Sequence, residues 1–269
     1  MLAQIRTLRW WIWGLVCICN IQYGSAQELL VNVYGRQYTL LNGKWNAIID
    51  PYQQGRKTAI YRNRALKDKA DFKEYAFEGG LRLNVPSDWN SQIPELKYYE
   101  GTMWYARKFE INKKSDENLF LYFGAVNYRC RVYLNGTLIG SHEGGFTPFQ
   151  FNVTNVVKEG GNFLAVEVDN TRTADAIPAL SFDWWNYGGI TRDVMLVHTP
   201  KNYIRDYFIQ LDKYDSDRVH AEVQLSAQNA GQLVKIEIPE LKIANKVFTD
   251  GTGLAKATFR VRNLERWSP

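Results

Sequence analysis

Cysteine is scarce in this sequence and unevenly placed. Only three cysteines occur in 269 residues, and Cys17 and Cys19 both lie close to the start. Once that leading stretch is removed, Cys130 stands alone and no internal disulfide is possible. Stability must then come from burial of a hydrophobic core, and Cys130 is expected to be a small buried residue of that core.

Other functional signatures are missing as well. The net charge of +5 includes Arg6 and Arg9, and no basic block remains beyond them, so no nucleic-acid partner is expected. The sequence has no glycine-rich phosphate loop and no G-x-S-x-G elbow. His198 and His220 are isolated in strand-like segments without the spacing of a metal site. We therefore expect no cofactor and no metal.

The first 26 residues have the pattern of an export signal. Arg6 and Arg9 precede an apolar run over 10–21, and Gly24 and Ala26 stand at the −3 and −1 positions of a cleavage site. The run is shorter than the roughly 20 residues that span a bilayer. An N-terminal membrane anchor is the alternative. The pattern predicts a periplasmic or extracellular protein with no membrane span after signal cleavage.

The remainder indicates an all-β protein. Apolar residues make up 45% and charged residues 23%, which excludes a disordered or collagen-like chain. Short alternating segments dominate, and Asn135-Gly136 between two of them is the strongest hairpin signal. Strands at this spacing, separated by Gly, Asn and Pro, are typical of a jelly-roll β-sandwich. We place this domain at 27–199.

A second domain is predicted from Pro200 onward. Candidate strands lie at 207–211, 219–225, 234–238 and 257–261, and suggest an immunoglobulin-like β-sandwich over 200–269. Such a sandwich usually has about seven strands in roughly 100 residues. The segment is shorter than that, so we expect this domain to be incomplete.

Five motifs occur in order between about residues 40 and 200, and together they resemble family 2 glycoside hydrolases, the group of β-glucuronidases, β-galactosidases and β-mannosidases. They are Leu41-Asn42-Gly43-Lys44-Trp45 with Asp50-Pro51; Asn84-Val85-Pro86-Ser87-Asp88-Trp89; Tyr99-Glu100-Gly101-Thr102-Met103-Trp104-Tyr105-Ala106-Arg107; Tyr133-Leu134-Asn135-Gly136 with His142-Glu143-Gly144-Gly145-Phe146-Thr147-Pro148-Phe149; and Asp183-Trp184-Trp185-Asn186-Tyr187-Gly188-Gly189-Ile190-Thr191-Arg192-Asp193-Val194. Asn263-Leu264-Glu265-Arg266-Trp267-Ser268-Pro269 resembles a late segment of the family's immunoglobulin-like domain.

The resemblance implies a jelly roll, an immunoglobulin-like domain and then a catalytic (β/α)8 barrel. Retaining hydrolysis needs two carboxyl groups about 5–5.5 Å apart, which the family carries on that barrel. The 269 residues leave no room for a barrel beside two β-domains. We therefore expect no catalytic residues here, and interpret the chain as the non-catalytic front of an exported glycosidase. A free-standing carbohydrate-binding or adhesion protein is the alternative, and a homo-oligomer through the β-domains is possible.

The resemblance also implies where a sugar would be contacted. The aspartate that matches Asp183 reaches from the jelly roll towards the hydroxyls of the non-reducing-end sugar in this family. A carboxylate can accept charge-assisted hydrogen bonds from two adjacent hydroxyls. An aspartate that caps a turn or pairs with Arg192 is the alternative. Trp184 and Trp185 would face opposite sides of a strand, so at most one should contact sugar. The predicted substrate-binding residues are Asp183, Trp184 and Trp185.

Overall fold

The computed structural model of the chain describes residues 29–64 and 75–261, which are almost entirely strands and turns. The predicted signal segment and the segment from Asn263 to Pro269 lie outside the described residues. In the part that is described, no helix is long and apolar enough to cross a membrane. The helices there are single 3-10 turns, such as Val33–Gly35 and Pro94–Leu96.

Thirteen strands before residue 201 form two large antiparallel sheets and one small one. The strands are β1 (Gln37–Leu40), β2 (Gly43–Ile49), β3 (Leu81–Val85), β4 (Ser87–Asp88), β5 (Thr102–Ile111), β6 (Glu117–Phe123), β7 (Val126–Asn127), β8 (Arg129–Leu134), β9 (Thr137–Glu143), β10 (Phe149–Asn152), β11 (Gly160–Asp169), β12 (Gly189–Ile190) and β13 (Val194–Pro200). Their orders are β3-β2-β5-β11-β8-β9, β1-β13-β6-β10 and β4-β12-β7. This arrangement confirms the all-β jelly-roll sandwich.

The sandwich core lies between the two large sheets and contains motif residues. Trp45 and Trp89 are fully buried in it, beside Leu121 and Leu196 of the four-stranded sheet. Burial of each large side chain stabilises the fold by about 1.5–3 kcal/mol. Trp104 is buried on the opposite face of the six-stranded sheet, in a separate cluster. The tryptophans of the first three motifs therefore build hydrophobic cores.

The β8–β9 hairpin confirms the Asn-Gly signal. Asn135 and Gly136 have φ values of 52° and 81°, and a type I′ turn needs positive φ at both positions. The Asn135 side chain is also engaged, because its Nδ2 donates to Asn162 Oδ1 (2.8 Å) and its Oδ1 accepts from the Phe163 amide (3.0 Å). This asparagine begins a glycosylation sequon, but here its amide group fastens the turn to β11.

Strand boundaries differ from the sequence pattern at several ends: the strands predicted at 207–211 and 257–261 begin at Ile204 and Leu254. Strand β13 begins at Val194, directly after the motif residues Arg192 and Asp193. The backbone amide of Val194 donates to Asn42 Oδ1 (3.0 Å), and Asn42 Nδ2 donates to Asp193 Oδ1 (2.8 Å). These side-chain hydrogen bonds engage the residues at the start of β13, and the ladder with β6 begins at Val194.

Five strands after Pro200 form two further sheets with their own core. They are β14 (Ile204–Leu211), β15 (Arg218–Leu225), β16 (Leu233–Ile238), β17 (Ile243–Phe248) and β18 (Leu254–Arg260). The three-stranded sheet β14-β15-β18 and the hairpin β16-β17 enclose a cluster that includes Val219, Ala221, Ile236 and Phe259. This arrangement fits the immunoglobulin-like sandwich, although β17 was not among the candidate strands. The division into domains at 27–199 and 200–269 stays a prediction.

Candidate functional site

The predicted site residues lie in the long connection between β11 and β12, which covers 170–188. This segment has no regular secondary structure around Asp183, Trp184 and Trp185. The two tryptophans therefore do not lie on a strand, and the prediction that at most one of them contacts sugar stays a prediction. Their orientations are instead decided by the side chains that each one contacts.

Asp183 is exposed and its carboxylate is unengaged. Among residues 29–64 and 75–261 it makes no hydrogen bond or ion pair, so the alternative of an Asp183–Arg192 pair is not observed. Arg192 Nη1 instead donates to the backbone carbonyl of Phe146 (3.2 Å). Both oxygens of the Asp183 carboxylate therefore face solvent and are open to a ligand.

The two tryptophans have different surroundings. Trp184 is 52% exposed and packs against Phe182, with ring centroids 4.4 Å apart. Trp185 is half-buried, and its ring meets Tyr98 edge-on at 5.6 Å and carries the Arg172 guanidinium 5.4 Å from its centroid. Trp185 packs against the protein, and Trp184 offers an open indole face beside Asp183.

Buried asparagines hold the end of this loop. Asn186 is 3% exposed; its Oδ1 accepts from Asn127 Nδ2 (2.7 Å) and its Nδ2 donates to the carbonyl of Asn170. Asn170 Nδ2 donates in return to the carbonyl of Asn186 (2.7 Å), and Asn127 Nδ2 also donates to the carbonyl of Tyr187 (2.6 Å). These buried amide hydrogen bonds fix the loop backbone relative to β7 and β11.

Two glycines allow the loop to lie close against the sandwich. A Cβ atom on Gly188 would lie 2.2 Å from the Trp89 ring, which no ordinary contact permits. Gly189 has a φ of 145°, which disfavours any other residue. The Gly188 backbone is then held on both sides, because its amide donates to Asn90 Oδ1 (2.9 Å) and its carbonyl accepts from the Trp89 amide (2.9 Å).

Exposed apolar side chains accompany the loop. Phe146 of the fourth motif is 60% exposed, whereas Phe149 of the same motif is buried. Large apolar residues of the 170–188 connection are exposed as well: Ile177, Leu180, Phe182, Trp184 and Tyr187. A free carboxylate among exposed aromatic faces suits a ligand with both hydroxyl and C–H surfaces.

His142 and Cys130 have structural roles. The His142 ring stacks on Phe149 at 4.1 Å and lies 3.2 Å from Thr147 Oγ1. Burial lowers the pKa of His142, so it is neutral at pH 7. Cys130 is 4% exposed, and burial raises the pKa of its thiol to about 12, which confirms an inert core residue.

The remaining histidines and the motif aspartate are held within the fold. His198 Nδ1 lies 3.0 Å from Glu117 Oε2, and His220 Nε2 lies 2.6 Å from Asp212 Oδ2. Asp50 is buried and accepts hydrogen bonds from the Gly55 amide (2.8 Å) and Trp104 Nε1 (3.0 Å). Within the described ranges, no cluster of three or more His, Cys, Asp or Glu side chains could hold a metal ion.

Comparison with known proteins agrees with this fold. Residues 39–200 match the family profile "Glycosyl hydrolases family 2, sugar binding domain", so the jelly roll is a sugar-binding domain of that class. The match covers more than half of the chain and coincides with strands β1 to β13. The chain belongs to glycosyl hydrolase family 2.

Individual relatives point the same way. A rat protein named β-glucuronidase is 26% identical over 98% of this chain and 44% of its own length. A β-galactosidase of Thermoanaerobacter pseudethanolicus is 33% identical over 77% of this chain and 28% of its own length. A solved β-glucuronidase from an uncultured Clostridium species aligns with a TM-score of 0.69 and 27% identity, over 89% of this chain and 42% of that one. The chain thus spans less than half the length of these relatives.

Proposed function

We propose that this chain is the N-terminal, non-catalytic portion of an exported glycoside hydrolase that acts on β-glucuronides or β-galactosides. The family match supports the enzyme class, and the names of the relatives supply both glycones. The share of each relative that is matched, 28–44% in the two sequence alignments, is consistent with a portion of a longer enzyme. In this proposal the sugar-cleaving carboxyl groups belong to a barrel domain that follows.

The observation that carries a sugar-binding role is the free Asp183 carboxylate on an anchored loop. Asn186 and Gly188 hold the loop backbone close to the sandwich, while Asp183 and Trp184 point to solvent. Adjacent sugar hydroxyls would donate to the two carboxylate oxygens, and the Trp184 indole would pack on sugar C–H groups. Trp185 packs against Tyr98 and Arg172 and so holds the loop against the domain.

A contact of this kind assists catalysis without touching the reacting bond. Binding energy gained from a remote part of the substrate can offset the cost of distortion at the reacting carbon. Asp183 would therefore act as a substrate-positioning residue for an enzyme whose acid/base pair lies elsewhere.

Two experiments, one on the purified chain and one on its gene, test whether the catalytic residues lie outside this chain. The 269 residues should not hydrolyse an aryl β-D-glucuronide or an aryl β-D-galactoside above background, because the family carries its two sugar-cleaving carboxyl groups on the barrel. The reading frame after the codon for Pro269, in frame or shifted, should encode a (β/α)8 barrel with an Asn-Glu pair. Turnover by the chain itself, or a gene with no barrel sequence downstream, contradicts the proposal and favours a free-standing binding protein.

Export is tested at the N-terminus. Cleavage after Ala26 should give a mature protein that begins at Gln27 and is recovered outside the cytoplasm, as the charged and apolar segments of the leader predict. Mass spectrometry of the N-terminal peptide of protein from the native host identifies this end, either as Gln27 or as the pyroglutamate that an N-terminal glutamine forms. Recovery of the intact leader in the membrane fraction supports the N-terminal anchor instead.

A further inference from the structure

We propose a second ligand site, separate from Asp183, on the outer face of the six-stranded sheet: a cleft that binds an acidic sugar through the paired guanidinium groups of Arg56 and Arg131. The cleft has a volume of about 390 Å³ and lies over β8, β9 and β11, beside the connection that follows β2. Its charged lining consists of Arg56, Arg129, Arg131, Glu143, Glu167 and Asp169.

A shared buried carboxylate holds the two arginines together. Glu167 is 5% exposed, and its Oε1 lies 3.1 Å from Arg56 Nε and 3.6 Å from Arg131 Nη1. Arg131 faces Glu167 directly across the β8–β11 ladder, so the strand register itself brings these charges together. Glu167 uses one oxygen for both partners, which draws the two guanidinium groups to the same point.

This arrangement leaves most of the guanidinium donors free. The Arg56 and Arg131 side chains are 43% and 45% exposed, and each reaches Glu167 through a single nitrogen. Their remaining N–H groups make no hydrogen bond to another residue in the described part of the chain. Three arginines face three carboxylates over the whole lining, and at this end two guanidinium groups share the single carboxylate of Glu167. Two neighbouring guanidinium groups with free N–H donors can each donate to an oxygen of a bound carboxylate.

The opposite side of the cleft suits hydroxyl groups. Glu143 and Asp169 lie on β9 and β11 across β8, and Arg129 between them is 3.9 Å from Glu143 Oε1. These two carboxylates accept hydrogen bonds and disfavour a bare second anion. A molecule with one carboxylate and several hydroxyls matches both sides. A uronic acid, free or at the end of a glycan, has that chemistry.

The site is tested by NMR on the full chain, with two probes that differ in one group. Methyl β-D-glucuronide has a carboxylate where methyl β-D-glucoside has a hydroxymethyl group. The glucuronide should shift the Nε–H signals of Arg56 and Arg131, and the glucoside should bind at least about tenfold more weakly, because it lacks the charged acceptor. Equal affinity for both sugars, or no shift of the arginine signals, overturns the proposal. Equal affinity for inorganic sulfate also overturns it, since the cleft is then an anion patch only.

Variants separate this site from the Asp183 loop. Arg131→Gln should lower the glucuronide affinity, followed on the Arg56 Nε–H signal, by about tenfold or more. The indole signal of Trp184 should still respond to sugar in this variant. Arg56→Gln, in a connection and not in a strand, repeats the test without altering the β8–β11 ladder. Arg218→Gln is the matched control, because Arg218 is 44% exposed and ion-paired to Asp215 in the second group of sheets. Shifts confined to Trp184 overturn the second site and leave the proposed function intact.

Discussion

Removal of the Asn186 side chain measures how firmly the 170–188 connection, which carries Asp183, is anchored. Asn186→Ala breaks the bond from Asn127 Nδ2 (2.7 Å) and the bond to the Asn170 carbonyl, and leaves that buried carbonyl without its donor. Each lost hydrogen bond lowers the free energy of unfolding by about 1 kcal/mol, and an unsatisfied buried group lowers it by at least another 1 kcal/mol. We therefore expect Asn186→Ala to lower the free energy of unfolding by about 3 kcal/mol. For a domain of this size the melting temperature should fall by about 6–12 °C.

Tryptophan fluorescence during urea unfolding is a suitable assay for this loss. All described tryptophans belong to the jelly roll, so the signal from them reports that unit. Asn84→Ala is the matched control, because Asn84 is exposed on β3 and its side chain should matter by no more than about 0.5 kcal/mol. A loss below about 1 kcal/mol for Asn186→Ala would refute the anchoring role of the asparagine network.

Three further predictions follow from single contacts. Gly188→Ala should displace the loop and lower stability by at least about 2 kcal/mol, since the new Cβ meets the Trp89 ring at 2.2 Å; wild-type stability and an unchanged Trp89 indole NMR signal contradict this. Cys130, with a thiol pKa of about 12, should resist iodoacetamide at about pH 8 until urea is added, and labelling of its peptide in the folded protein contradicts this. The hydrogen bond from His220 contributes most to holding the pKa of Asp212 at about 2, so the stability that this carboxylate provides is present above about pH 4 and lost as pH falls towards 2. In an NMR titration, His220→Gln should move the Asp212 pKa up towards its ordinary value, and an unchanged pKa contradicts the assignment.

Much of the fold was predictable from local pattern. The β8–β9 hairpin followed from Asn135-Gly136 because the turn chemistry is local. Strand β17 (Ile243–Phe248) was missed, and its residues are mostly exposed or half-buried, so no clean alternation of apolar residues marks it. A short strand of this kind is defined by its pairing with β16, which no single-sequence pattern reveals.

The site was predictable only in part. The family resemblance singled out Asp183, but it could not show that Trp184 is open and Trp185 is packed, because those states depend on Phe182, Tyr98 and Arg172. The asparagine network was missed for a similar reason. Asn127, Asn170 and Asn186 are far apart in sequence, and a polar residue next to a turn normally indicates solvent exposure. A possible signal was the repeated occurrence of Asn beside strand ends.

The most direct test of the account is the effect of Asp183→Ala on the longer enzyme to which we propose that this chain belongs. Loss of both charge-assisted hydrogen bonds to the sugar should lower kcat/KM for an aryl β-glycoside by at least about 100-fold, since each bond to a charged group is worth about 10-fold or more. Asp175→Ala is the control, because Asp175 lies in the same loop and its carboxylate accepts from Thr173 (2.6 Å). We expect kcat/KM to fall for Asp183→Ala and to stay at the wild-type value for Asp175→Ala. An unchanged kcat/KM for Asp183→Ala would contradict the central claim that this loop contacts the sugar.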